Sequence, residues 1–280
     1  MKLLRYGPLG QERPGILDSA GRIRSLFPVV ADLTPALLGP EALSILGAID
    51  PERLPLVEGN PRLGEPIAGA REFYAVGLNY RAHAEEAGMK IPAEPIVFNK
   101  ALSSLSGATD DVLIPEACMS VDWEIELGFV IGSEAFQVEE KDALNYIAGY
   151  FTVIDFSERD FQSKRGGQFI KGKSLPTFGP IGPYLVTSDE IPNPQTLGLQ
   201  LEVNGNMRQN SNTSDMLFSV KWLVAHLSTF LRLMPGDLVT TGTPAGVGLG
   251  HKPPLYLKPG DIVTGEVCGL GRQIKRIRSA

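Results

Sequence analysis

Cysteine is nearly absent from this sequence: Cys118 and Cys268 are the only two in 280 residues. Two cysteines cannot build a disulfide framework, and these lack the spacing of a thiolate metal site. Histidine is almost as scarce, with His83, His226 and His251 as the only copies. No apolar run approaches the roughly 18 residues of a membrane-spanning helix. The opening Met1-Lys-Leu-Leu-Arg-Tyr-Gly-Pro has no signal-peptide core, so a reducing, cytoplasmic setting is expected. Positive charge is in deficit. A net charge of −6 argues against nucleic acid or an anionic membrane as a partner. The one basic cluster, Arg272, Lys275, Arg276 and Arg278, alternates with Ile274 and Ile277. It is expected to be the solvated face of a final strand.

What is present is the composition of a soluble globular enzyme, 43% apolar and 21% charged. The length allows one large domain, or a large one with a small companion. Residues 1–70 read as a small N-terminal domain. Leu3–Tyr6, Pro14–Leu17 and Ile23–Leu26 have strand character, a helix is expected over Pro40–Ile49, and a proline-rich connector follows. No reactive groups cluster there. Residues 71–280 then form the catalytic domain.

The organising stretch is Val121-Asp-Trp-Glu-Ile-Glu-Leu-Gly-Phe-Val-Ile-Gly132, a strand by its β-branched and aromatic content. Glu124 and Glu126 are two apart and project to one face, with Trp123, Ile125 and Leu127 on the other. Adjacent carboxylates resist burial unless a cation compensates them, and a hard divalent ion is the simplest compensation. An isolated pair of this kind is more often a solvated strand face, so another acid is needed. Asp155 supplies it, at the end of the apolar run Phe151–Ile154. Arg159 and Gln162 follow at four and seven residues, in a turn entering a helix.

His83 and Glu86 lie three apart in a short helix that ends at Gly88. A carboxylate that orients an imidazole is a general-base arrangement, although such pairs are common surface contacts. Lys171 and Lys173 flank Gly172, and an ammonium there could stabilise developing enolate charge or simply be solvated. An Asn204-Gly205 hairpin, an amphipathic helix over Met216–Leu231 and a strand entering the glycine-rich loop 242–250 complete the chain. The loop amides and the Thr243 hydroxyl are candidates to hold a substrate carboxylate. Its Gly246-Val-Gly-Leu-Gly250 segment lacks the spacing and following helix of a dinucleotide fold.

Gly77-Leu-Asn-Tyr-Arg-Ala-His83, Asp122–Leu127, Asp155–Gln162, Lys173-Ser174, Gly179–Pro183 and Thr241–Gly248 occur together and in order. Over about residues 70–280 the chain resembles the fumarylacetoacetate hydrolase family, in particular its acylpyruvate and diketo-deoxy-sugar-acid hydrolase subgroup. The resemblance implies a mixed α/β, β-rich fold with a rolled sheet, and a homodimer. It implies Mg²⁺ (or Mn²⁺) on Glu124, Glu126 and Asp155, with Arg159, Gln162, Lys173 and Thr243 lining a small oxo-acid site. His83 and Glu86 match the lid-helix dyad that activates water. Three departures surround the pocket: Ile154 where Asn is usual, Glu158 where Ala is common, and Pro176 in place of a frequent acid.

The implied reaction is metal-dependent hydrolysis of the C3–C4 bond of a 2,4-dioxo acid, giving pyruvate and a second acid. Decarboxylation, hydration or dehydration, and keto–enol isomerisation use the same metal–enolate chemistry and stay open. A silent scaffold on this fold would be marked by loss of one of the three acids, and all three are present.

Overall fold

The computed structural model describes residues 1–280. Its centre is a nine-stranded sheet in which Ile147–Ile154 and Ile125–Ile131 lie side by side. Every residue of both strands is buried. Both runs are rich in β-branched and aromatic residues, and strands covered on both faces need such apolar content. On one side the sheet continues through Leu238–Thr240, Phe73–Gly77 and Ile96–Asn99. On the other it continues through Leu185–Thr187 to Lys2–Tyr6, Arg13–Leu17 and Ile23–Ser25. The strands of the N-terminal segment therefore extend the central sheet, with Lys2 opposite Val186 and Leu3 opposite Leu185.

A five-stranded sheet runs in the order Asn206–Asn212, Gly198–Val203, Ile262–Val267, Gly271–Ser279, Val112–Ile114. It packs on the central one around a cluster of 31 buried residues, Ile125, Leu127, Phe129 and Ile131 among them. Gly265 makes the approach possible, because a Cβ there would lie 2.9 Å from Ile125 Cδ1. The opposite face of the central strands, with Val130, Phe151 and Val153, belongs to a second cluster of 15 residues shared with Leu3, Ile16 and Leu26. Period-two alternation thus assigns Ile125 to one core and sends Glu126 to the other face.

Five helices decorate the sheets: α1 (Pro40–Gly47), α2 (Arg81–Glu86), α3 (Arg159–Lys164), α4 (Ile170–Lys173) and α5 (Val220–Ser228). None is long and apolar enough to cross a membrane. Three expectations need correction. The helix expected over Met216–Leu231 is only α5, because Ser219 caps it, its Oγ accepting from Trp222 N, and a 3-10 turn occupies Thr213–Asp215. The expected strand across Val121–Gly132 is broken at Trp123 and Glu124, between a Val121–Asp122 bridge and Ile125–Ile131.

The last strand is the third. Lys275 is fully buried and Ile274 is 51% exposed, the reverse of the expected assignment for these two. The alternation that turns Ile277 inward takes Gln273 and Lys275 with it. The lysine is accommodated because its Nζ donates to the carbonyls of Gly107 and Asp110. Gln273 Nε2 likewise donates to the carbonyls of Thr152, Pro180 and Gly182.

Candidate active site

Register alone brings the three acids together. Ile154 pairs with Ile125 and Val153 with Glu126, so Asp155, one residue past its strand, lands beside Glu124. Its N–H donates to the Glu124 carbonyl at 2.8 Å. Glu124, Glu126 and Asp155 are all buried and can offer ligand oxygens within 4.8 Å of one another.

Two lysines and an arginine partly neutralise this cluster. Lys173 Nζ lies 2.5 Å from Glu124 Oε2 and 2.7 Å from Asp155 Oδ2. Lys100 Nζ lies 2.5 Å from the other Asp155 oxygen and also donates to the Lys173 carbonyl. Arg159 forms an ion pair with Glu124 at 2.7 Å through Nη2 and with Asp122 at 2.8 Å through Nε. Its Nη1 donates to Gln162 Oε1 at 3.1 Å. Nη2 carries two N–H groups, and Glu124 can take only one of them, so this buried nitrogen keeps a donor to spare.

Glu126 has no basic partner. It accepts from the Thr240 hydroxyl and from Gly242 N. Burial, followed by the neighbouring carboxylates of Asp155 and Glu124, pushes it well above the usual carboxylate range. Burial also works against ionised Glu124, but Lys173 and Arg159 outweigh it and hold that acid below the usual range. Four carboxylates (Asp122 and the three acids) therefore face three cations (Lys100, Lys173 and Arg159). A divalent ion fits this donor set: hard oxygens, buried, with one acid left uncompensated.

The dyad residues lie on α2, beside the same cavity. His83 Nδ1 is 3.4 Å from Glu86 Oε2, and Glu86 accepts from Gly246 N at 3.0 Å. Burial raises the Glu86 pKa, while the hydrogen bonds from His83 and from Gly246 N lower it by more, so it stays ionised. If Nδ1–H is donated to Glu86, Nε2 is left as the basic nitrogen. The cavity, about 250 Å³, is lined by His83, Glu124, Glu126, Arg159, Gln162, Lys173 and Thr243, among others.

The glycine-rich loop does a different job from the one expected of it. Gly248 N and Leu249 N donate to Asp122, and Gly246 N donates to Glu86. These amides are occupied by the protein's own carboxylates and are not free for a substrate. The Thr243 hydroxyl donates to the Ile125 carbonyl and accepts from Gln209 Nε2, so Thr243 borders the cavity with its hydrogen already committed. Lys171 is exposed, with Nζ on the Arg165 carbonyl, while Lys173 is buried at the acids. Glu158 is a structural acid. It accepts from Ser120 N and Oγ and caps α3 at Asp160 N.

Lys100 and the bridging role of Asp122 escaped the sequence reading. Lys100 ends the strand Ile96–Asn99, much as Asp155 ends its own, but a single lysine after a strand gives no periodic signal. Asp122 stood in a motif with no visible partner, because Arg159 and the Gly248 amide reach it only through the fold.

Residues 72–278 match the fumarylacetoacetate (FAA) hydrolase C-terminal family. A relative in Burkholderia orbicola (strain MC0-3), provisionally termed a hydrolase, is 55% identical over 281 residues, with both chains fully covered. The fumarylacetoacetate hydrolase from psychrophilic Exiguobacterium antarcticum superposes with a TM-score of 0.88 at 32% identity, over the full length of both chains. Maleylpyruvate hydrolase from Sphingobium sp. SYK-6, solved with manganese(II) and pyruvate, superposes with a TM-score of 0.84 at 26% identity, again at full coverage. A 5-carboxymethyl-2-hydroxymuconate delta-isomerase from Mycobacterium smegmatis gives 0.77 at 30%, covering all of this chain and 99% of that one.

Proposed function

The chain belongs to the fumarylacetoacetate hydrolase family, and from that premise we propose that it hydrolyses the C3–C4 bond of a 2,4-dioxo acid to give pyruvate and a second acid. One juxtaposition carries this reading: a buried three-acid cluster with an uncompensated member shares a cavity with a carboxylate-oriented histidine. Glu124, Glu126 and Asp155 would hold Mg²⁺ or Mn²⁺, which when bound supplies Lewis acidity and a template for a 2-oxo acid. The manganese and pyruvate in the maleylpyruvate hydrolase support that choice of ion and ligand class.

The rest is done by side chains. The unsatisfied Nη2 donor of Arg159 is suited to the substrate carboxylate. His83 Nε2 takes a proton from a water whose oxygen attacks C4, and Glu86 stabilises the imidazolium. As the C3–C4 bond breaks, its electron pair moves onto C3 and delocalises to the C2 oxygen, where Lys173 offsets the charge. Returning the proton to C3 yields pyruvate. The dyad favours hydrolysis over isomerisation, because isomerisation needs no activated water.

Incubating the Mg²⁺-loaded protein in H₂¹⁸O with acylpyruvates, oxaloacetate and diketo-deoxy sugar acids tests the reading. Pyruvate should appear with one ¹⁸O in the carboxylate of the second product. Release of CO₂ from oxaloacetate, without cleavage of any acylpyruvate, would replace hydrolysis with decarboxylation.

A further inference from the structure

The chemistry at the acids leaves open what the substrate carries beyond C4, and the remainder of the cavity wall bears on that. Leu78, Ala87, Met89, Phe98, Phe169 and Leu249 make up most of it. Phe98 and Phe169 form an edge-to-face pair with centroids 5.3 Å apart. Phe98 also lies under the Lys173 ammonium, 5.7 Å from its ring centre, so the aromatic wall begins next to the reacting carbons.

Polar partners are scarce. Arg159 and Lys173 are the only arginine and lysine lining the cavity, and both are held at the acids. Gln162 accepts from Arg159, and Ser163 Oγ donates to the Arg159 carbonyl. A second carboxylate would find only Gln162 Nε2 as a donor there, and a row of hydroxyls only Gln162 and the Ser163 Oγ lone pairs, so most such groups would be desolvated without a partner, which is costly.

We propose that the site selects a monoanionic acylpyruvate with an apolar acyl group, aryl or branched alkyl, seated on the Phe98–Phe169 pair under Met89. Dioic and polyhydroxylated oxo acids are disfavoured. This inference rests on the hydrolase reading for its reaction but not for its binding preference. An aromatic tail gains from edge and face contacts as well as from burial. Met89 is 47% exposed on the segment after α2, where an unbranched, adaptable side chain suits the rim of an apolar site.

The test has two arms. In the first, kcat/KM for pyruvate release is compared for benzoylpyruvate, acetylpyruvate and succinylpyruvate with the Mg²⁺-loaded protein. Benzoylpyruvate should lead both by at least tenfold; a lead for succinylpyruvate overturns the proposal. In the second, calorimetry with Mg²⁺ present compares 2-oxo-4-phenylbutanoate with 2-oxoadipate, neither of which has a C4 carbonyl to hydrolyse. At least tenfold tighter binding of the phenyl acid is expected. If no acylpyruvate is cleaved but this preference holds, the hydrolase reading falls and the pocket assignment stands. Equal binding, tighter binding of 2-oxoadipate, or binding of neither overturns the assignment. Phe169→Ala should lower the phenyl-over-dioic binding ratio at least fivefold. Met89→Arg, at an exposed position where folding is not at stake, should shift it toward the dioic acid by a similar factor. A ratio unmoved by both variants also overturns the assignment.

Discussion

Under the proposed function, Glu126 is the residue whose replacement should separate metal binding from folding. It alone of the three acids lacks a lysine or arginine, and its ionised form is disfavoured by burial and by two like charges. In Glu126→Gln the amide oxygen can still accept from Thr240 and Gly242, while the charge that needs a cation is gone. The metal-free variant should therefore melt at or above the wild-type temperature. Wild type at a hundredfold excess of Mg²⁺ over Kd gains about 2.7 kcal/mol by mass action, and the variant should gain nothing. An Mg²⁺-dependent rise in Tm equal to that of wild type would remove Glu126 from the ligand set. On the proposed mechanism, Lys173 and His83 divide the chemistry differently. Lys173→Met should lower kcat about 10²–10³-fold, the cost of one lost donor to developing charge, and should impair C3 deuterium exchange to the same degree. His83→Ala should slow hydrolysis about 10²–10⁴-fold while leaving exchange largely intact. Equal loss of both in His83→Ala would make His83 the C3 base, and the enzyme an isomerase or hydratase. The three acids and the dyad could be singled out because strand alternation, a strand end or a helix face placed them, whereas Lys173 was set apart from Lys171 only by the family resemblance. Lys100 was not legible: its place between Asp155 and the Lys173 carbonyl depends on a contact across 55 residues of sequence.

Among the elements that border the cavity, α2 has little of its own to hold it. It has six residues, no side-chain cap at Tyr80, and buries only His83 and Ala84, too little for a helix this short to stand on propensity alone. Its anchor is Glu86, which accepts from Gly246 N and packs so closely on Gly250 that a Cβ there would push it aside. Because the folded-state pKa of Glu86 lies below its ordinary value, its contribution is fully present above that value, about 4.3. It is lost as pH falls through the lower, folded one. Protection factors of residues 80–92, exchange rates divided into the intrinsic rate at each pH, should therefore fall in acid, and Glu86→Ala should show the lowered protection already at pH 7. Indistinguishable protection in variant and wild type at pH 7 would show that Glu86 is no anchor. The last strand has the same slope in a higher window, although there the charged form is disfavoured rather than held. Burial pushes the Lys275 amine down to about 7, so between pH 7 and its ordinary 10.4 the unfolded chain binds the extra proton. Stability should rise with pH across that window, and Lys275→Met should lack this rise in urea titrations. Sequence pattern could not assign this lysine inward. Alternating Arg, Lys and Ile fit a wet face equally well, and only the carbonyls of Gly107 and Asp110 decide the matter.

At the scale of the molecule, the strands that carry the acids are covered from both sides by chain from distant parts of the sequence. One cover, the five-stranded sheet, is built mostly from chain that follows the acids, with Val112–Ile114 before them. The other comes from residues 1–70, where Leu3, Ile16, Leu26, Leu33, Leu38, Leu46 and Ile67 pack with Phe73, Val130, Phe151 and Val153. Arg62 adds a two-pronged ion pair to Asp110, with Nε at 2.5 Å and Nη2 at 2.7 Å. Composition and the proline-rich connector set residues 1–70 apart in the sequence as a small domain, yet its strands belong to the nine-stranded sheet. Its strands joining the central sheet were not legible, because pairing of Leu3 with Leu185 spans most of the chain. Each buried aliphatic side chain is worth about 1.5–3 kcal/mol, so the loss of seven rivals the whole stability of a typical domain, about 5–15 kcal/mol. Removal would also bare the face of Phe151 and Val153, and Val153 is the residue paired with Glu126. We therefore expect residues 71–280 expressed alone to aggregate and to show no Mg²⁺-dependent rise in Tm. The full chain should unfold in one urea transition, with tryptophan fluorescence and far-UV circular dichroism coincident. A soluble 71–280 fragment that binds Mg²⁺ as the full chain does would show instead that the segment is an autonomous appendage and that the acid-bearing strands need only one of their two covers.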